Sequence, residues 1–210
     1  MRAAGAVGHC RARGRFTPCI AGGGGNRVMA FLSDDLVSLR GMRREDLTLY
    51  RGWIDNADVT RFMEMGWKPF SDFDLEKTYV EATQALDAVV MVIEERESGK
   101  AIGTTGLYLI NWPGRRAQFR ILIGEPTLFG KGYGTAATRL TVRYGFDRLN
   151  LETIYLGANT ENKGAVRAYE KAGFSVDGVQ PHFVYNNGRY YDSVMMSITR
   201  DRYLAAVSGP

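Results

Sequence analysis

A chain of 210 residues, 45% apolar and 24% charged, suits one well-buried globular core and excludes collagen-like, fully disordered and membrane-spanning classes. The formal charge of +4 suggests an anionic partner, yet residues 1–28 hold five arginines (Arg2, Arg11, Arg13, Arg15, Arg27) and no acid. Setting that leader aside leaves 22 basic residues against 23 acids over 29–210, a net of −1, so nothing in the body supports nucleic-acid binding.

Cys10 and Cys19 are the only cysteines and both lie in the leader. The body therefore has no disulfide, thiolate metal site or cysteine nucleophile, which fits a reducing, cytoplasmic setting. No apolar run approaches the ~18 residues of a membrane span. The leader lacks the apolar stretch of a secretory signal and carries Gly22-Gly23-Gly24-Gly25. It reads as a disordered or spurious extension before a start at Met29, with 29–210 forming one domain.

In chain order, Leu36, Val37 and Leu39 predict a short strand. Leu47, Tyr50 and Ile54, spaced by three and four, then predict a helix. Ser71 and Asp74 form a capping-box pattern ahead of a second helix marked by Leu75, Tyr79, Ala82 and Leu86. Strands follow over 88–93, 101–110 and 117–123, separated by turn residues, which predicts an antiparallel meander. A glycine-rich loop, a helix over 131–148, a strand over 153–157 and a helix over 162–172 capped by Gly173 come next. Two last strands, 174–184 and 189–199, flank the hairpin signal Asn186-Asn187-Gly188. The expected architecture is α+β, with a mixed, mostly antiparallel sheet of six to seven strands flanked by about four helices.

Gly130-Lys131-Gly132-Tyr133-Gly134-Thr135 lies between a strand and a helix, where backbone N–H groups and the positive helix end converge on an anion such as pyrophosphate. A plain tight turn is the structural alternative. No G-x-x-x-x-G-K-[ST] run exists. Gly132-x-Gly134-x-x-Ala137 matches a dinucleotide fingerprint in form, but the following strand ends at Asn159, where a ribose-binding acid belongs, and an antiparallel meander precedes the loop.

The residues resemble the GCN5-related N-acetyltransferases (GNAT). Phe129-Gly130-Lys131-Gly132-Tyr133-Gly134 is similar to their Q/R-x-x-G-x-G/A coenzyme A loop. Asn162-Lys163-Gly164-Ala165-Val166-Arg167-Ala168-Tyr169, followed by Gly173-Phe174, is similar to their N-x-x-A-x-x-x-Y signature. Within the family, Arg116 to Ile123, Tyr144-Gly145-Phe146 and Asn187-Gly188-Arg189-Tyr190 look most like the spermidine branch and the branch acetylating ribosomal-protein N-termini.

The resemblance implies an acetyl-CoA-dependent N-acetyltransferase acting on a primary amine of a small molecule (polyamine-like or amino-sugar) or a peptide N-terminus, by direct attack in a ternary complex. In the family the fourth and fifth strands splay, and the pantetheine arm lies against exposed backbone, here Ile121, Leu122 and Ile123. The pyrophosphate falls to the amides of Phe129, Gly130, Lys131, Gly132, Tyr133, Gly134 and Thr135. Asn162, Ala165 and Lys171 touch the coenzyme from the next helix. Tyr169 is the family's acid, protonating the coenzyme A thiolate; spacing alone favours a core aromatic in the stripe Ala165, Val166, Tyr169, Ala172, and the surrounding motif reverses that preference.

Glu125, just after the fourth strand, is the candidate base or a solvated loop acid. His182, the body's only histidine, has no second imidazole or cysteine near it, so no metal is expected. Glu152 and Glu170 read as surface charges. Several positions depart from the spermidine branch. Gln118 stands where those enzymes carry an acid, and Met65-Gly66-Trp67-Lys68-Pro69 replaces an acidic pair, leaving Glu64, Asp72, Asp74 and Glu76 as the remaining nearby acids. Two further alternatives are a non-catalytic acyl-CoA-binding sensory module and a homodimer through the terminal strands.

Overall fold

The computed structural model describes residues 30–64, 68–186 and 188–208. The leader with both cysteines, the segment 65–67 and Asn187 of the hairpin lie outside the described residues.

Alternation of side chains across strands builds one sheet. Its strands are β1 (Leu32–Ser33), β2 (Val37–Gly41), β3 (Val89–Glu95), β4 (Ala101–Asn111), β5 (Arg116–Ile123), β6 (Thr153–Asn159), β7 (Ser175–Asn186) and β8 (Arg189–Thr199). The sheet order is β1-β2-β3-β4-β5-β6-β8-β7, and β5 with β6 is its one parallel pair. That order removes the dinucleotide reading, which needs the loop after the first strand of a parallel sheet.

Six α-helices flank the sheet among the described residues: α1 (Asp46–Ile54), α2 (Ala57–Thr60), α3 (Asp72–Gln84), α4 (Tyr133–Asp147), α5 (Lys163–Lys171) and α6 (Arg200–Ser208). The counts of eight strands and six helices correct the expected six to seven and about four. β1 and α2 are too short to show a period. α6 exposes nearly all of its length, so it carries no apolar stripe.

Strand β3 explains the layering. Val90 and Val92 face the layer of α1 and α3, packing with Tyr50, Trp53, Ile54 and Leu75. Met91 and Ile93 face the opposite layer, with Ala136, Ala137 and Leu140 of α4. A second cluster on the α4 side joins Phe119, Phe146, Ile154, Leu156, Phe174 and Met196. Both faces of the central strands are thus dry, which is why 101–107 is buried without a break.

Local chemistry fixes the helix ends. Ser71 and Asp74 form the expected reciprocal capping box of α3. Asn162 caps α5, its Oδ1 accepting from the Ala165 amide at 3.1 Å. Gly173, at φ +103°, turns the chain out of that helix. Before α1, Arg40 is buried between two carboxylates: its Nη1 and Nη2 donate to Asp46 at 2.7 and 2.8 Å, and its Nε donates to Glu94 at 2.6 Å. This bidentate pair ties α1 to β2 and β3.

His182 sits at φ +53° in a bulge of β7, exposed, its amide donating to Asp192 Oδ1 at 2.9 Å. Glu152 is a bridging charge, 2.9 Å from Arg115. No helix is long and apolar enough to cross a membrane, and no cluster of metal-binding side chains occurs among the described residues.

Candidate active site

The site begins where two strands part. β5 and β6 pair only over Arg116–Thr153, Ala117–Ile154 and Gln118–Tyr155. Beyond that point β5 keeps β4 as partner and β6 keeps β8, so a gap opens between residues 119–123 and 156–159. Backbone polar groups along such a gap need a partner from outside the sheet. The strand residues expected to line it fall on two faces. Ile121 and Ile123 pack toward α4, while Leu122 packs toward α1 and α3.

The glycine loop closes the end of this gap. After a 3-10 turn at Pro126–Leu128, Gly130 and Gly132 take φ +75° and +94°, a conformation costly for a residue with a Cβ. Gly132 is the N-cap of α4 and no side chain caps that helix. The amides of Tyr133, Gly134 and Thr135 therefore face outward at the positive helix end. Gly134 lies against the end of β5: a Cβ there would stand 3.9 Å from Ile123 Cγ1. Two of the seven predicted amides are already used, Phe129 donating to Pro126 O at 3.1 Å and Lys131 to Leu128 O at 3.4 Å. The Tyr133 hydroxyl donates to Glu95 Oε1 and anchors the loop to β3.

Tyr169 projects from α5 toward the same gap. Its ring meets Phe119 of β5 edge-on at 6.0 Å and Phe174 at 6.2 Å. Burial pushes its phenol up to about 12. Its hydroxyl makes no hydrogen bond with a described residue. The ring is thus held by core packing.

The remaining predicted residues are placed as follows. Glu125 pairs with Lys100 at 3.1 Å and does not line the cavity described below. Asn162 and Ala165 are joined in the α5 cap. The Lys171 carbonyl accepts from Arg139 Nη2 at 2.8 Å, fastening α5 to α4. Phe129 is 47% exposed at the loop rim.

A cavity of about 260 Å³ opens on the α1 and α3 side of β5. It is lined by Tyr50 of α1, Thr78 and Glu81 of α3, Tyr108 of β4 and Arg120 and Leu122 of β5, among others. Burial, reinforced by Glu81 and opposed by Arg120, pushes the Tyr50 phenol up to about 12; burial also raises Tyr108. Arg120 stacks 4.7 Å from the Tyr108 ring centroid and donates to Gln118 Oε1 at 2.7 Å. The acids at the α3 start do not form an acidic mouth: Asp72 pairs with Arg51, Asp74 with Lys68 and Glu76 with Arg44.

Sequence reasoning missed Glu81 and Arg120, which lie on separate elements and show no spacing signal. It also gave no sign of the burial of Asn159 at the far end of β6. That residue is buried, its Oδ1 accepts from the Glu161 amide, and its Nδ2 has no partner.

A parted parallel pair, an uncapped glycine-rich helix start and a tyrosine at the gap are the parts needed to hold a thioester coenzyme beside an amine. Residues 37–175 match the Acetyltransferase (GNAT) domain model, and the chain belongs to that family of acetyl-CoA-dependent N-acetyltransferases. It is 36% identical over 181 residues to the spermidine N(1)-acetyltransferase of Escherichia coli K12, covering 83% of this chain and 91% of that protein. It is 32% identical over 171 residues to the Vibrio cholerae enzyme of the same name, covering 80% and 95%. A crystal structure of Vibrio cholerae spermidine N-acetyltransferase with CoA and spermine superposes with a TM-score of 0.74 at 31% identity, covering 81% of this chain and 99% of that one.

Proposed function

We propose that the protein acetylates a primary amine of a small molecule, with acetyl-CoA held at the β5–β6 gap and the amine entering through the cavity on the α1 and α3 face. The observation that carries this is the cavity itself, which reaches β5 at Ile121 and Leu122, where the strand has lost its β6 partner. At about 260 Å³ it lies just below the usual size of ligand sites, on the order of 300–1,000 Å³. That size favours a small amine over a folded protein's terminus. The likeness to spermidine acetyltransferases supports the same chemistry, an aliphatic primary amine as nucleophile.

The α4 amides of Tyr133, Gly134 and Thr135, with those of Gly130 and Gly132, would hold the pyrophosphate without any side-chain charge. Acetyl-CoA supplies the activated acetyl group. The neutral amine nitrogen attacks the thioester carbonyl, the carbon–sulfur bond breaks, and the proton lost by nitrogen completes the thiol. Tyr169 would donate a hydrogen bond to the departing sulfur. An acid of pKa about 12 gives up its proton reluctantly to a thiolate whose conjugate acid lies near 8.5. The phenol therefore acts as a fixed donor that steadies the developing thiolate.

Thiol release from acetyl-CoA across a panel of polyamines, alkylamines, amino-sugars and peptide N-termini tests the proposal. Turnover with small amines above the hydrolysis rate is expected. Turnover confined to peptides, or none at all, contradicts it. The edge strand β7 exposes Val176, Val179, Phe183 and Tyr185, which supports pairing of two copies along that edge, and light scattering measures it.

A further inference from the structure

The cavity is lined by two opposite charges, both solvent-exposed and neither in an ion pair with a described residue. Arg120 binds Gln118 and stacks on Tyr108 but pairs with no carboxylate. The Glu81 carboxylate, in the last turn of α3, makes no ion pair with a described residue, whereas Asp72, Asp74 and Glu76 in the first half of the helix are each matched to a cation. The two side chains reach the cavity from opposite walls, Glu81 from α3 and Arg120 from β5. Both charges act on the phenols of Tyr50 and Tyr108 with opposite sign, so both lie near the same two tyrosines.

A polycation suits this wall poorly. Each ammonium of a long polyamine gains from its own carboxylate, and here one carboxylate faces one guanidinium. A ligand with one positive and one negative end leaves neither protein charge uncompensated. Guanidinium geometry favours a planar or tetrahedral oxyanion as the negative end.

We infer that the acceptor is a dipolar amine, its ammonium drawn to Glu81 and a carboxylate or phosphate group on the same molecule held by Arg120. This rests on the acetyltransferase reading above and narrows its substrate class. Glu81 and Arg120 are here binding and orienting residues. The ammonium releases its proton to solvent before attack, and neither side chain takes part in bond making.

The test compares chain-matched acceptors: ω-amino acids, diamines and alkylamines of equal length, with γ-aminobutyrate, putrescine and butylamine as one set. Hydrogen bonds to charged groups, at about 1.5–3 kcal/mol, correspond to roughly a tenfold or greater preference in kcat/KM for the ω-amino acid over the diamine. Arg120→Gln is expected to erase that preference through KM, and Arg120→Lys to restore part of it. Glu81→Gln is expected to raise KM for every amine in the set. A diamine preferred by the unaltered protein overturns the inference, as does an Arg120→Gln variant that slows the ω-amino acid and the alkylamine in equal proportion. No turnover with any amine contradicts the acetyltransferase reading itself, and the inference falls with it.

Discussion

The ring of Tyr169 stands edge-on to Phe119, with centroids 6.0 Å apart and planes at 80°, so that a residue of α5 is packed directly on the strand that borders the gap. The contact orients the phenol and is independent of its oxygen. Tyr169→Phe keeps the ring and deletes only the donor. The expected result is a fall in kcat of about a hundredfold, the low end of what losing one transition-state hydrogen-bond donor costs, with KM for acetyl-CoA nearly unchanged. Thermal melting should not move. A parallel fall in melting temperature would show that the hydroxyl serves the fold.

Because burial holds the Tyr169 phenol up near 12, it remains protonated throughout the neutral range. The rate is therefore expected to rise with pH as the amine loses its proton, with no loss from Tyr169 below about pH 11. A kcat profile in the Tyr169→Phe variant with the same acidic limb checks this assignment.

Gly132 stands at φ +94° as the N-cap of α4. A Cβ would meet only Leu36 Cδ1, at 3.5 Å, so space is not the obstacle; the backbone conformation is. Left-handed geometry costs a non-glycine residue about 1–2 kcal/mol, so Gly132→Ala should weaken coenzyme A binding by roughly tenfold. Calorimetric titration measures it. The apolar body of the site is untouched, so acceptor selectivity should be retained.

Arg40 gives the stability prediction. Removing one partner of a buried ion pair strands the other charge, and Arg40→Met should cost about 3–5 kcal/mol. Burial tends to raise the Asp46 carboxyl, but hydrogen bonds from Arg40 and the Arg43 amide outweigh it and hold the group below its ordinary value. The sign follows: the stabilisation is complete above the ordinary aspartate value of about 3.9 and is lost as pH falls below it. Urea unfolding should therefore show a steeper acid limb in the unaltered protein than in Asp46→Asn.

Much of the fold was legible because its signals are local. Tyr50 and Ile54 recur at helical spacing, Ser71 and Asp74 spell the α3 cap, and Gly173 stops α5. The glycine loop was legible for the same reason, since Gly130 and Gly132 mark backbone that turns through positive φ. The acceptor side was not. Glu81 is one charge on a polar helix face and Arg120 one charge on a half-exposed strand, and only the packing of α3 against α1 and the sheet sets them on one cavity. Glu125 was legible as an acid just after β5, but its pairing with Lys100 comes from the fold and has no spacing signal. Asn159 had no signal because an unpartnered amide is a property of the folded neighbourhood alone.

The central claim is direct transfer between two substrates bound together at the β5–β6 gap. Initial rates measured over a grid of acetyl-CoA and amine concentrations test it most directly. Double-reciprocal lines that intersect are predicted, because both substrates must be present before the carbon–sulfur bond breaks. Parallel lines, the mark of an acetylated enzyme formed before the amine arrives, would contradict it.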